Sequence, residues 1–212
     1  MVLKYKNISL YWLGHDGFKI VGSKIVYIDV FKIEEQKEKA DIVLITHEHF
    51  DHLSLEDINK VIDEKSKIVA PQICEKSLKV IKNEKIFVEP FNKIEIENVK
   101  IETYPSYNKD KHFHPKKDGR VSYVLEIDNV RVFHAGDSDF IDEFKELKDI
   151  DIALLPVSGV YVMDWKEAVE AALAIKPKIA IPMHYNSIVG TKEDAKNFVN
   201  ALKDKVETFI FE

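Results

Sequence analysis

Thr46-His47-Glu48-His49-Phe50-Asp51-His52 is the stretch on which the reading of this chain turns. It follows Ile42–Thr46, a continuous apolar run rich in β-branched residues that reads as a buried strand. A helix is expected after it, from about Leu55 to Asp63, with Ser54 as N-cap and Asp57 completing a capping-box pattern. Four potential metal ligands, His47, His49, Asp51 and His52, therefore crowd the end of a strand. Sheets of α/β type gather ligand sites at the carboxyl ends of their strands. Imidazole nitrogens and carboxylate oxygens suit zinc, manganese or iron. His47 and His49 can face one centre from an irregular turn, while Asp51 and His52 lie further round and can serve another. Ligands this close cannot easily all reach one ion, so the spacing favours two. The plainer alternative is a polar helix N-terminus with chance histidines. Three histidines and an aspartate in this order weigh against it.

Outward from this motif the chain alternates. Upstream, Ile8–Leu13, Phe18–Val21 and Lys24–Phe31 read as short strands between Gly-containing turns. Downstream, Ile68–Ala70 is a strand ended by Pro71, and a helix is expected over Ile73–Ile81. Strands near Ile86–Glu89, Lys93–Glu97 and Lys100–Tyr104 follow. The polar segment Pro105–Gly119 reads as a long loop, and loops of that length inside a compact domain are usually functional or disordered. The second half repeats the outline. Val121–Ile127 and Val130–His134 form a hairpin around Asp128-Asn129, and Ile152–Pro156 is a buried strand. A helix at Asp164–Ile175, a strand at Lys178–Ile181, a helix at Thr191–Leu202 and a strand at Thr208–Phe211 complete it. Two β-rich halves, each shedding helices, predict an α/β fold with two stacked β-sheets flanked by helices, in one domain spanning residues 1–212.

A length of 212 residues and a hydrophobic content of 45% fit such a domain with a real core. The formal net charge of −6 gives no global field that favours nucleic acid. The single cysteine, Cys74, cannot form an intramolecular disulfide and reads as a small buried apolar residue. No targeting segment and no run of about 18 apolar residues is visible, so a soluble, cytoplasmic protein with no membrane partner is expected.

The other histidines fall at strand ends or in the long loop: His15, His112, His114, His134 and His184. Asp137 follows a strand in FHAGDSD, and His184 follows one in IPMHYN. Strand ends of both halves could thus deliver ligands to one edge. In this order, HxHxDH, a later His, a GD and a final His, the chain resembles the metallo-β-lactamase superfamily. LGHDGF at 13–18, YNKDKHFHPK at 107–116, VFHAGDSD at 132–139, LLPVSGVYVMD at 154–164 and IPMHYN at 181–186 are similar to one branch of it. That branch includes ascorbate-6-phosphate lactonase-like proteins and other metal-dependent hydrolases. The resemblance implies a four-layer αββα sandwich. It also implies roles. His47, His49 and a loop histidine, His114 rather than His112, would bind a first metal. Asp51, His52 and His184 would bind a second, and Asp137 would bridge them. Departures from the branch are Val30 after Asp29, Ser122 and Ser138, none of them at a ligand position. A flavin-bearing di-iron branch is disfavoured by His49, and the β-lactamases with a cysteine ligand by Asp137.

The implied activity is hydrolysis of a small anionic ester, lactone or phosphoester by a hydroxide bridging two divalent ions, with Asp51 or Asp137 orienting it and taking its proton. Zinc comes first as cofactor, with manganese, iron or nickel as competitors. The alternatives are a phosphodiesterase or nuclease of the same superfamily, against which the negative net charge argues, and a non-catalytic metal-binding module. Whether copies associate into a homo-oligomer stays open. His15 and His134 flank the site and could touch substrate, support a ligand or simply be satisfied in the core. Asp29 could orient a ligand imidazole. Tyr161, Met163 and Tyr185 could line a pocket. Lys109, Lys111, Lys116, Lys117 and Arg120 make the loop basic, which more often means a solvated loop than a phosphate clamp.

Overall fold

The computed structural model describes residues 1–211, and they build two seven-stranded sheets whose strands follow one another in chain order. The first holds β1 (Leu3–Tyr5), β2 (Ile8–Gly14), β3 (Gly17–Val21), β4 (Ile25–Ile28), β5 (Ile42–Leu44), β6 (Lys67–Pro71) and β7 (Lys85–Val88). The second holds β8 (Lys93–Ile96), β9 (Val99–Pro105), β10 (Val121–Ile127), β11 (Val130–His134), β12 (Ile152–Pro156), β13 (Ile179–Met183) and β14 (Glu207–Thr208). Each sheet begins as antiparallel hairpins and continues as a parallel ladder, from β4 in the first and from β11 in the second. Helices α1 (Leu55–Val61) and α2 (Glu75–Leu78) belong to the first half, α3 (Trp165–Ile175) and α4 (Lys192–Leu202) to the second.

The layers follow from period-two patterning. On the first sheet Leu10, Phe18, Ile20, Ile28, Leu44 and Val69 turn to the main core, which they share with Tyr123, Leu125 and Leu154 of the second. Their neighbours Tyr27, Val43, Ile45, Ile68 and Ala70 turn the other way and meet Ile58 and Val61 of α1, Cys74, and Leu78 of α2. The opposite face of the second sheet takes Ala168, Ala171 and Ala172 of α3 and Phe198 of α4. Full burial of each Leu, Ile or Phe here is worth about 1.5–3 kcal/mol. The buried Tyr123 hydroxyl donates to the Ile45 carbonyl at 2.8 Å and ties the sheets across the core. The result is the αββα order that the sequence implies, and Cys74 is the small buried residue expected.

Some elements differ from expectation. The helix expected over Ile73–Ile81 is a 3₁₀ turn at Gln72–Cys74 followed by the four-residue α2. The Asn83 side chain donates to the carbonyls of Asp63 and Ser66 and pins the chain close behind, so the helix has no room to continue. The last strand stops at Thr208, because Phe209 and Phe211 turn in to an aromatic cluster with Trp12 and Phe18. The short β1 was not expected; it pairs with β2. Among the described residues, no helix is long and apolar enough to cross a membrane.

Two consequences matter for the site. The parallel strands β4, β5, β11, β12 and β13 release their following residues at the same end of the sandwich. The β2–β3 turn, with His15 and Asp16, closes against that end too: the His184 backbone N–H donates to the His15 carbonyl at 3.1 Å.

Candidate metal centre

Three imidazoles converge at the first group. His47 Nε2 lies 3.0 Å from His49 Nδ1, and His114 Nε2 lies 3.3 Å from the same atom. Their protonation can be deduced. The Thr46 hydroxyl donates its only hydrogen to Asp29 Oδ2 at 2.5 Å, so at 3.0 Å it accepts from His47 Nδ1. His114 Nδ1 faces two acceptors, Asn108 Oδ1 at 3.1 Å and the Tyr161 carbonyl at 3.2 Å, and must also carry a proton. Both Nε2 atoms are left as bare lone pairs, the form a metal needs. Burial holds the His47 and His49 pKa values down, His47 far down, and pushes His114 down to about 4. All three are neutral donors at neutral pH.

The second group is built the other way. His52 Nδ1 is bonded to Asp29 Oδ2 at 2.8 Å, and His184 Nδ1 to Ser158 Oγ at 2.8 Å. Their Nε2 atoms point inward and, like Asp137 Oδ1, are buried without a hydrogen-bond partner. Asp51 Oδ2 accepts from His15 Nε2 at 3.1 Å, and the His15 ring lies 4.2 Å from that of His184. Burial opposes charge on His52 and His184, yet the Asp137 carboxylate outweighs it. His52 is held well above its ordinary pKa and His184 is raised to about 9. Burial likewise opposes charge on Asp137, and the same two imidazoles hold its pKa well down.

Asp137 stands between the groups. Its Oδ1 is 3.3 Å from His52 Nε2 and 3.5 Å from His184 Nε2. Its Oδ2 is 3.4 Å from His114 Nε2 and 3.9 Å from His47 Nε2. Donor atoms of His47, His49 and His114 lie within 4.8 Å of one another, as do those of His15, Asp51, His52 and His184. Orphaned buried nitrogens and a shared carboxylate are what a pair of cations would satisfy, so the residues fit metal.

Protons on His52 and His184 occupy, in the metal-free chain, the place of a cation. Binding at the second group must displace them; binding at the first displaces none. We expect metal uptake at pH 7 to release protons, all from the second group, and the affinity there to fall as pH drops below about 9. Calorimetry in buffers of different ionisation enthalpy counts the protons. Release of none would contradict these shifts.

The backbone is bent to make this possible. His15, Asp29 and His184 adopt the left-handed conformation, at φ 52°, 44° and 58°. Gly136, also left-handed, favours glycine for a second reason. A Cβ there would come within 3.1 Å of the Thr46 side chain, which orients His47.

Of the residues named from sequence, His47, His49, Asp51, His52, His114, Asp137 and His184 all come together, and Asp29 supports both His52 and, through Thr46, His47. His112 is exposed and in none of these groups. His134 is a satisfied core residue: Nδ1 accepts from the Gly136 N–H at 3.1 Å, so Nε2–H donates to the Asp16 carbonyl at 2.9 Å. Sequence reasoning missed Asp16. It is fully buried, groups with His52, Asp137 and His184, and has its pKa raised by burial. A cleft of about 230 Å³ opens above the cluster, lined by His49, Asp51, His114 and Asp137 and walled by Phe50, Phe113, Tyr161 and Ile188. Met163 and Tyr185 are not among its lining residues. Of the loop cations, Lys111 pairs with Asp139 and Lys116 with Glu143, while Arg120 pairs with Glu48 and Asp118 and its Nη2 lies 3.4 Å from His49 Nε2.

Comparison with known proteins gives a consistent picture. The pattern of the beta-lactamase superfamily domain matches residues 9–184. The chain is 33% identical to a UPF0173 metal-dependent hydrolase of Thermococcus onnurineus, covering 96% of each chain. It is 32% identical to one of Thermoplasma acidophilum, covering 97% of this chain and 95% of that one. A crystal structure described as that of a metal-dependent hydrolase from Parabacteroides distasonis superposes with a TM-score of 0.86 at 32% identity, over 99% of this chain and 96% of that one.

Proposed function

The chain belongs to the beta-lactamase superfamily and, within it, to the UPF0173 metal-dependent hydrolases, and from that premise we propose that it is a dinuclear hydrolase of small anionic esters, lactones or phosphoesters. His47, His49 and His114 would hold the first ion and Asp51, His52 and His184 the second. Asp137 would serve both. The observation that carries this reading is the division of Asp137, one oxygen toward each group of imidazoles. Two divalent ions, zinc first among the candidates, would supply a nucleophile from water at neutral pH and polarise the scissile carbonyl or phosphoryl oxygen.

The remaining work belongs to side chains. His15 holds Asp51 Oδ2, which leaves Oδ1 to orient an attacking water from the cleft wall and take its proton. Asp29 and Thr46 keep the ligand imidazoles in their metal-binding tautomers. Phe50, Phe113, Tyr161 and Ile188 would give a small substrate an apolar rim beside the metals. Four positive metal charges against the carboxylates of Asp16, Asp51 and Asp137 leave about +1, which a hydroxide would cancel, so the preference for an anionic substrate would come from the metals themselves. The paired lysines of the loop add nothing to that preference.

Protein purified without chelator should carry close to two equivalents of transition metal per chain by elemental analysis. It should turn over small esters, lactones or phosphoesters in a panel run with zinc, manganese, iron or nickel loaded separately. A fully loaded chain holding a single ion would sink the dinuclear reading.

A further inference from the structure

We propose that Asp16 is an additional ligand at the second metal position and makes it the oxygen-rich half of an unequal pair. This rests on the dinuclear reading above. Asp16 is wholly buried, and neither of its carboxylate oxygens has a hydrogen-bond partner. Among the described residues no lysine or arginine pairs with it, and the one basic nitrogen within 4 Å is His52 Nδ1, at 3.9 Å and already bonded to Asp29. A carboxylate stripped of water and given no donor is costly to keep. What surrounds it is instead the unpartnered set of the second group. Donor atoms of Asp16, His52, Asp137 and His184 lie within 4.8 Å of one another, and those of His52, Asp137 and His184 are orphaned as well.

The placement is built in. His134 donates to the Asp16 carbonyl and accepts from the Gly136 N–H, so one imidazole clamps the β2–β3 turn to the loop that carries Asp137. Asp16 is thereby fixed beside the shared carboxylate from an otherwise separate part of the chain.

The two positions then differ in chemistry. The first offers three imidazoles and one Asp137 oxygen. The second offers His52 and His184 with the carboxylates of Asp51, Asp137 and Asp16. Nitrogen-rich sets suit zinc, and carboxylate-rich sets suit harder ions such as manganese. Asp16 therefore biases the second position toward manganese and the chain toward mixed loading.

The test uses metal-free full-length protein given one equivalent of zinc and then titrated with Mn²⁺, followed by electron paramagnetic resonance and calorimetry, with no substrate present. The wild-type chain should bind one Mn²⁺. Asp16→Asn and Asp16→Ala should bind it at least about tenfold more weakly, with zinc affinity at the first position unchanged. Circular dichroism establishes that the variants are folded. If they are not, a crystal of the wild-type chain grown with manganese decides, since anomalous scattering locates the ion and shows whether Asp16 is bonded to it. Unchanged Mn²⁺ affinity in folded variants, or an ion with Asp16 unbonded and sharing a proton with Asp137 instead, overturns the proposal. A wild-type chain that takes one ion in total overturns the dinuclear reading and this inference with it; two ions with no effect of Asp16 overturn the inference alone.

Discussion

Asp137→Asn will leave the chain folded, strip metal from at least one position and lower turnover by at least about a hundredfold. Substitutions that merely disturb the support of a metal ligand cost about 10–100-fold in affinity or activity. Loss of a carboxylate facing both groups should cost more. Asparagine keeps the volume but removes the charge that His52 and His184 gather around. Its amide also presents an N–H₂ where one pair of imidazoles now meets an oxygen. The backbone anchor survives the exchange, since the Ser106 hydroxyl donates to the Asp137 backbone carbonyl at 3.0 Å, which the variant retains. Circular dichroism, metal content and steady-state kinetics on one preparation decide the matter. Full activity with two ions bound would mean that Asp137 is not shared between them.

Asp137 stands out in the sequence only because it follows a strand end, and its bridging role is what the family resemblance implies. Its strand end, and those before His47 and His184, carry a local signature: a β-branched apolar run that stops at a polar residue. The layers were legible for a similar reason, since alternating residues of β4 and β5 face different cores and the chain must write that alternation residue by residue. Asp16 has no such signature. It is one acidic residue in a glycine-flanked turn, and its environment exists only once His134 has drawn that turn against Gly136, more than a hundred residues away in the chain. His134 takes the plainest of its three readings. It sits at a strand end like a ligand, yet both of its nitrogens are consumed in joining two loops. The expected helix after Pro71 failed because its limit is set from outside, by Asn83 gripping the Asp63–Ser66 turn.

His114→Ala will lose metal from the first position and activity with it, whereas His112→Ala will behave as wild type. The two residues stand in one loop, carry the same side chain and are a single residue apart, so the contrast isolates geometry from composition. His114 is buried, with Nδ1 held by Asn108 and Tyr161 and Nε2 aimed at His49 and Asp137. Truncation leaves the loop standing. The Asn108 N–H still donates to the residue 114 carbonyl at 2.8 Å, and the residue 114 N–H still donates to Asn108 Oδ1 at 3.1 Å. What disappears is one of three neutral nitrogens, and His47 and His49 with one Asp137 oxygen make a poorer site for a transition metal. His112 is exposed and belongs to none of the ligand groups, and exposed substitutions of that kind usually shift stability by less than about 0.5 kcal/mol. Metal content and kcat/KM measured side by side give the ranking. If His112→Ala were the variant that lost metal, the loop would have to reorganise when the ion enters, and the cleft walled by Phe113 and Tyr161 would not be the one that receives substrate.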